Sequence, residues 1–264
     1  MTPQMTLPLI PPLRASAADG PSLLAVARQS GAVRVTRRHR HARGQLLGAA
    51  RGLLSVDAGG SRWVVPATHA VWIPPGVPHG VRSHGPFAGW SVYVERSACG
   101  ALPGDSCILA VSGLLHEAVA RAVSWEDGQA WDAPQARLAG VILDEIRAAP
   151  RAALGLPMPR DARLLRIARA LSERPDDGRR LEAWAAWAGL SPRTLTRRFV
   201  AETGFSFTAW RQRVRLLRAL EWLAAGRPVT AIALDLGYDN VSAFIALFRR
   251  TFGVTPGRYE ASLR

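Results

Sequence analysis

The chain has 264 residues, 48% of them hydrophobic, with 34 basic residues set against 20 acidic ones for a formal charge of +14. That length allows one large domain or two ordinary ones, and the apolar content excludes global disorder. No apolar run is long enough to cross a membrane as a helix. All 34 basic residues are arginine, and the guanidinium fork suits phosphates and base edges. From Arg160 onward there are 19 arginines and 10 acids, +9 of the total. Nucleic acid is the partner such a bias favours; a solvated basic face is the plain alternative. Two cysteines, Cys99 and Cys107, are too few for a disulfide framework or a zinc finger and fit a reducing cytoplasm.

Residues 1–20 begin MTPQMTLPLIPPLRASA. They lack a basic n-region, and prolines break the short apolar run, so a disordered leader is expected and not a signal peptide. From Leu23 to Glu95 the pattern is short and β-like: LLAVA, AVRV, QLLGAARGLLSV, RWVV, HAVWI and WSVYV, separated by Gly, Pro and Asp turns. Strands at that spacing predict an antiparallel sandwich or small barrel. After Ser112 the period changes. LLHEAVARAV (114–123) and QARLAGVILDEIRAA (135–149) carry apolar residues at helical spacing. Their apolar faces (Leu114, Leu115, Val119; Leu138, Ile142, Ile146) suit either a homodimer surface or packing on their own sheet. Residues 21–149 are thus expected to form a β domain with a helical pair, 150–160 a linker rich in Pro and Ala, and 161–264 an all-α domain. The fold class is α+β in two domains.

Within the all-α domain two segments share a layout: LEAWAAWAGLSPRTLTRRFVAETG (181–204) and VTAIALDLGYDNVSAFIALFRRTFG (229–253). Each reads as a short apolar helix, a glycine (Gly189, Gly237), a capping residue (Ser191, Asn240) and an amphipathic helix ending in Gly. That is the layout of a helix-turn-helix, twice. Between them FTAWRQRVRLLRALEWLAA predicts a helix spanning about 28 Å, close to the ~34 Å between successive major-groove faces of B-DNA. Helical angles put Leu195 and Phe199 inside and turn Arg193, Thr196 and Arg197 toward a groove, with Thr194 and Arg198 at the margins. In the second reading helix Phe244 and Phe248 are core. Ser242, Ile245 and Ala246 face out, suited to thymine methyls or DNA shape, and Arg249 and Arg250 suit phosphates.

VTAIALDLGYDNVSAFIALFRRTFGVTPGRY closely resembles the signature of AraC/XylS-type transcription regulators, and LSPRTLTRRFVAETGFSFTAWRQRVRLLRAL resembles their first helix-turn-helix and connecting helix. The resemblance covers residues 163–263. It implies a two-part unit that binds double-stranded DNA, with Ile232, Ala233, Gly237, Tyr238, Phe244, Phe248, Pro256 and Tyr259 structural. The second reading helix departs from the pattern in being poor in polar groups. In the N-terminal part, RHRHARGQ (38–45) and PPGVPH (74–79) resemble the two metal motifs of the cupin barrel, with Gln45 where an acid usually stands. A cupin-like barrel would turn His39 and His41 into one cavity and bring His79 from a neighbouring strand. One divalent transition metal (Zn, Ni, Fe or Mn) on His39, His41, His79 and Gln45 is one reading. A metal-free polar pocket and plain surface placement among Arg37, Arg38, Arg40 and Arg43 are the others.

The whole arrangement resembles a subgroup, the NimR-like regulators, which implies a small-molecule effector and control of transcription, with RNA polymerase a further partner. The competing reading is a cupin-type enzyme, a metal-dependent dioxygenase or isomerase, fused to a DNA-binding domain. No carboxylate accompanies the histidines and no Ser-His-Asp or Cys-His set is apparent, so no catalytic residue is expected.

Overall fold

The computed structural model describes residues 4–5, 15, 20–125, 131–152 and 154–262. The chain divides into two compact units, residues 1–59 with 63–155 and residues 60–62 with 156–264. Of the expected leader, Gln4–Met5 form β1 and Ala15 is buried beside Tyr93; most of the rest lies outside the described residues.

The first unit runs β2 (Leu23–Ser30), β3 (Arg34–His39), β4 (Gly44–Arg51), β5 (Leu53–Ala58), β6 (Ser61–Pro66), β7 (His69–Ile73), β8 (His79–Ser83), β9 (Phe87–Val94) and β10 (Cys107–Ala110). Two helices follow, α1 (Gly113–Val123) and α2 (Ala133–Ala148), then the short strand β11 (Arg151–Ala152) and, where the chain passes into the second unit, β12 (Gly155–Pro157). The stretch expected as a linker thus supplies two strands. The sheets are ordered β1-β3-β8-β5-β6-β12 and β11-β10-β7-β4-β9-β2. β1 runs parallel to β3, whereas β3 and β5 flank β8, β7 and β9 flank β4, β2 flanks β9, and β7 and β11 flank β10, all antiparallel.

Alternation explains why β4 and β9 read as nearly continuous apolar runs. Leu46, Trp90 and Val92 face α1 and α2, in a core with Trp72, Ile142 and Ile146. Leu47 and Phe87 face the opposite way, into a core shared with Leu54, Val56 and Val71. A strand covered on both faces has no solvent side to keep polar. Gly52, at φ +85°, turns QLLGAARGLLSV into two strands. The apolar faces of the helices pack on their own sheet: Leu115, Val119, Ile142 and Ile146 are buried, while Leu114 is 57% exposed. Ser112 caps α1, and a reciprocal box of Asp132 and Gln135 caps α2.

The second unit holds α3 (Ala162–Glu173), α4 (Leu181–Trp187), α5 (Pro192–Thr203), α6 (Phe207–Ala224), α7 (Val229–Asp235), α8 (Val241–Phe252) and α9 (Pro256–Ser262). Gly189 and Gly237 adopt φ of +66° and +74° at the two turns, a conformation costly for any residue with a Cβ. Ser191 Oγ then accepts from Thr194 N, and Asn240 Oδ1 from Ser242 N. Leu195, Phe199, Trp210, Ile232, Phe244 and Phe248 are all fully buried. At 18 residues, α6 is about 27 Å long.

Candidate effector pocket and nucleic-acid interface

The three histidines meet. Their ring centroids lie 4.3 Å (His39–His79), 5.0 Å (His41–His79) and 5.8 Å (His39–His41) apart, and one ring nitrogen of each falls within 4.8 Å of the others. A bulge produces this. Thr36 pairs with Val81 and His39 with His79, so three residues of β3 span two of β8. Without the extra residue His39 would face away from Arg34 and Thr36; with it, all three line one pocket. His41 is not on a strand, as the motif suggested; it sits in the connection between β3 and β4.

Backbone carbonyls fix the tautomers. Nδ1 of His39 donates to Arg37 O (2.9 Å), that of His41 to Arg43 O (2.7 Å) and that of His79 to Val77 O (2.9 Å). A carbonyl only accepts, so each neutral ring carries its lone pair on Nε2, the pattern usual for metal-ligating histidine. Burial keeps His79 neutral, lowering its pKa to about 4, and the basic neighbours His39, His41 and Arg38 push the same way. His41 is lowered too, chiefly by burial. His79 Nε2 is buried with no hydrogen-bond partner. His41 Nε2 and Gln45 Oε1 face each other at 3.2 Å as two acceptors, while the Gln45 amide nitrogen donates to Ser91 Oγ (3.0 Å) and Tyr93 Oη (3.2 Å). An orphaned lone pair and two apposed acceptors fit a cation. Ligands on ~2.1 Å bonds stand roughly 3.4 Å apart, so the imidazoles would draw in slightly. Beyond them the pocket is walled by Leu47, Leu54, Val81 and Phe87, with Arg34 and Ser83 also lining it.

In the second unit the exposed stripe of α5 is Arg193, Thr196, Arg197 and Val200, spaced i, i+3, i+4, i+7 along one face. On α8, Ser242, Ala246, Arg249 and Arg250 are exposed and Ile245 half-buried. These five line a groove with Gly253 and Thr255.

Residues 23–190 match the AraC-like ligand binding domain, and residues 184–262 match a helix-turn-helix domain. The chain is 34% identical over 225 residues to the HTH-type transcriptional regulator NimR of Escherichia coli K12, covering 85% of this chain and 82% of that protein. This chain belongs to the AraC family. It is a DNA-binding transcription regulator with an N-terminal ligand-binding domain, and not an enzyme. More partial matches are to RipA of Corynebacterium glutamicum (38% identity; 39% of this chain, 31% of RipA) and to SoxS of Salmonella typhimurium (35% identity; 35% of this chain, 88% of SoxS).

In this AraC-family regulator many arginines are occupied with the protein itself. Arg198, expected at the margin of the reading face, donates to Asp161 Oδ2 at 2.7 Å and braces the first turn of α3. Thr194, at the other margin, is half-buried and accepts from Ser191 Oγ at 2.8 Å. Arg166 binds Trp187 O, Arg215 binds Pro175 O at 2.9 Å and Arg218 binds Ser172 O at 2.7 Å. The sequence reading missed Val200, Thr255, Arg34, Ser91 and Tyr93. Helical spacing from Arg193 and Arg197 points to Val200, and strand alternation from Phe87 points to Ser91 and Tyr93. Among the described residues no helix is long and apolar enough to cross a membrane.

Proposed function

We propose that this regulator reads its operator through the exposed faces of α5 and α8, and is controlled from a cupin-like pocket where His39, His41, His79 and Gln45 hold one divalent metal. The observation that carries the metal reading is the set of carbonyl-anchored imidazoles, one with a buried Nε2 that no hydrogen bond uses. The ion would supply a Lewis-acidic position for an effector. The chain's own residues do the rest: the carbonyls of Arg37, Arg43 and Val77 set the tautomers, and Ser91 and Tyr93 hold the Gln45 amide. Arg193, Thr196 and Arg197 read base edges, Arg249 and Arg250 grip phosphates, and the Ser242–Ile245–Ala246 face reads methyls or shape. The protein acts in the cytoplasm as a homodimer, and at its promoter with RNA polymerase. Leu114, exposed on α1, is apolar surface the helical pair leaves for a second copy.

The reading faces are tested by equilibrium binding to fragments selected from the source genome. Arg193→Ala and Arg197→Ala are each expected to cost about 1–3 kcal/mol on the selected site and to relax its preference. Arg249→Ala is expected to weaken binding to every sequence and to reduce the salt slope by about one. An unchanged ratio of selected-site to random-site affinity in the first two variants would show that α5 presents a different face.

A further inference from the structure

The donor set around the histidines is electrically neutral. Three imidazoles offer Nε2 and Gln45 offers an amide oxygen, where a carboxylate would have cancelled one unit of charge. Ser91 and Tyr93, which hold that amide, are uncharged hydroxyls. Among the described residues lining the pocket none is Asp or Glu, and Arg34 adds a positive charge. Arg34 stands beside Ser83, its backbone N–H donating to Ser83 Oγ at 2.9 Å. That end is about 13 Å along β8 from His79.

A divalent cation on four neutral donors keeps its full charge. Around it the walls are Leu47, Leu54, Val81 and Phe87, which screen nothing, and a buried charge without a counter-charge is costly. Among the described residues no acid lines the pocket to balance it, so the balance has to come from what binds there. Resting on the metal reading above, we propose that the effector is a small organic anion, in the simplest case a short carboxylate. Its charged oxygen would bind the metal, and its apolar body would lie along Leu47, Leu54, Val81 and Phe87. The Arg34 guanidinium adds a favourable field from the far end without needing contact.

The test uses the full chain loaded with Co(II), whose visible absorption reports its ligands, and sodium azide as the probe anion. Azide is expected to change the Co(II) spectrum saturably. Gln45→Glu supplies the missing negative charge; it is expected to retain Co(II) and to weaken azide by about tenfold or more. Arg34→Gln, away from the donor set, is expected to retain Co(II) and weaken azide by a smaller factor. A chain that binds no Co(II) would overturn the metal reading and this inference with it. Stoichiometric Co(II) with a spectrum indifferent to azide, or an azide affinity unchanged in Gln45→Glu, would overturn the anionic effector and leave the metal standing.

Discussion

Trp210→Ala is expected to destabilise the C-terminal unit by about 3–5 kcal/mol, the usual range for removing a fully buried large aromatic. Trp210 is wholly buried on α6. Its ring meets Phe199 edge-on at 5.4 Å, and Phe199 meets Phe207 in the same way at 5.5 Å. Its Nε1 donates to Pro157 O at 2.7 Å, so alanine leaves both a cavity and a stranded carbonyl. Phe199 is the residue that seats the first reading helix, so specific DNA binding should fail along with stability. Thermal melting followed by far-UV circular dichroism, paired with a DNA titration, measures both. Trp187→Ala makes the comparison: that ring is 41% exposed and is used as a face for Arg166 at 4.5 Å and Arg179 at 5.4 Å, contacts worth about 0.5–1 kcal/mol each at exposed sites. Equal melting of the Trp210 variant and the parent would mean that this aromatic cluster is not the core of the unit.

His41→Ala is expected to lower metal affinity by at least about 100-fold, since removing even an outer partner of a metal ligand costs ~10–100-fold and His41 is itself proposed as a ligand. It touches every other member of the set: its ring lies 5.8 Å from His39 and 5.0 Å from His79, and its Nε2 lies 3.2 Å from Gln45 Oε1. Elemental analysis of freshly purified protein should find close to one metal per chain in the parent and almost none in the variant. Affinity for random DNA should be unchanged, because the reading faces belong to the other unit. A metal content well below one per chain and insensitive to His41 would reduce the cluster to a polar wall of the pocket.

What could be read from the sequence was local, and what could not was set by distant partners. The helix-turn-helix pair announced itself because its turn glycines, its caps Ser191 and Asn240 and its core aromatics recur within a few residues of one another. β8 was missed because HGVRS has little apolar alternation; its pairing with β3 and β5 makes it a strand. β10 is only four residues and is defined by β7 and β11. The HxH spacing suggested two inward residues on one strand, but the bulge between Thr36 and His39 moved one inward and left His41 to the turn. Helical angle places Arg198 at the margin of the reading face but cannot show that it is held by Asp161, 37 residues away.

The loop between α3 and α4 has a consequence for the DNA. Arg211 binds the carbonyls of Arg179 and Asp177, Arg215 that of Pro175 and Arg218 that of Ser172, three guanidiniums spaced along α6. A side chain at Gly237, in the second turn, would lie 3.1 Å from Asp176 O of the same loop and 3.2 Å from the Arg215 guanidinium. The Arg215 guanidinium also stands 5.3 Å from the Tyr238 ring. The end of α3 and the loop after it are thus fastened to the connecting helix, which also meets the second turn through Arg215 and Tyr238, and a swing of the connecting helix would cost these carbonyls their donors. On the proposed DNA reading, these contacts resist a change in the spacing of the two readers when DNA arrives. Where an operator's two major-groove segments do not match that spacing, the duplex and not the protein must bend. The elastic cost of that curvature, which varies with the base steps between the two contacts, becomes part of how this regulator tells one promoter from another.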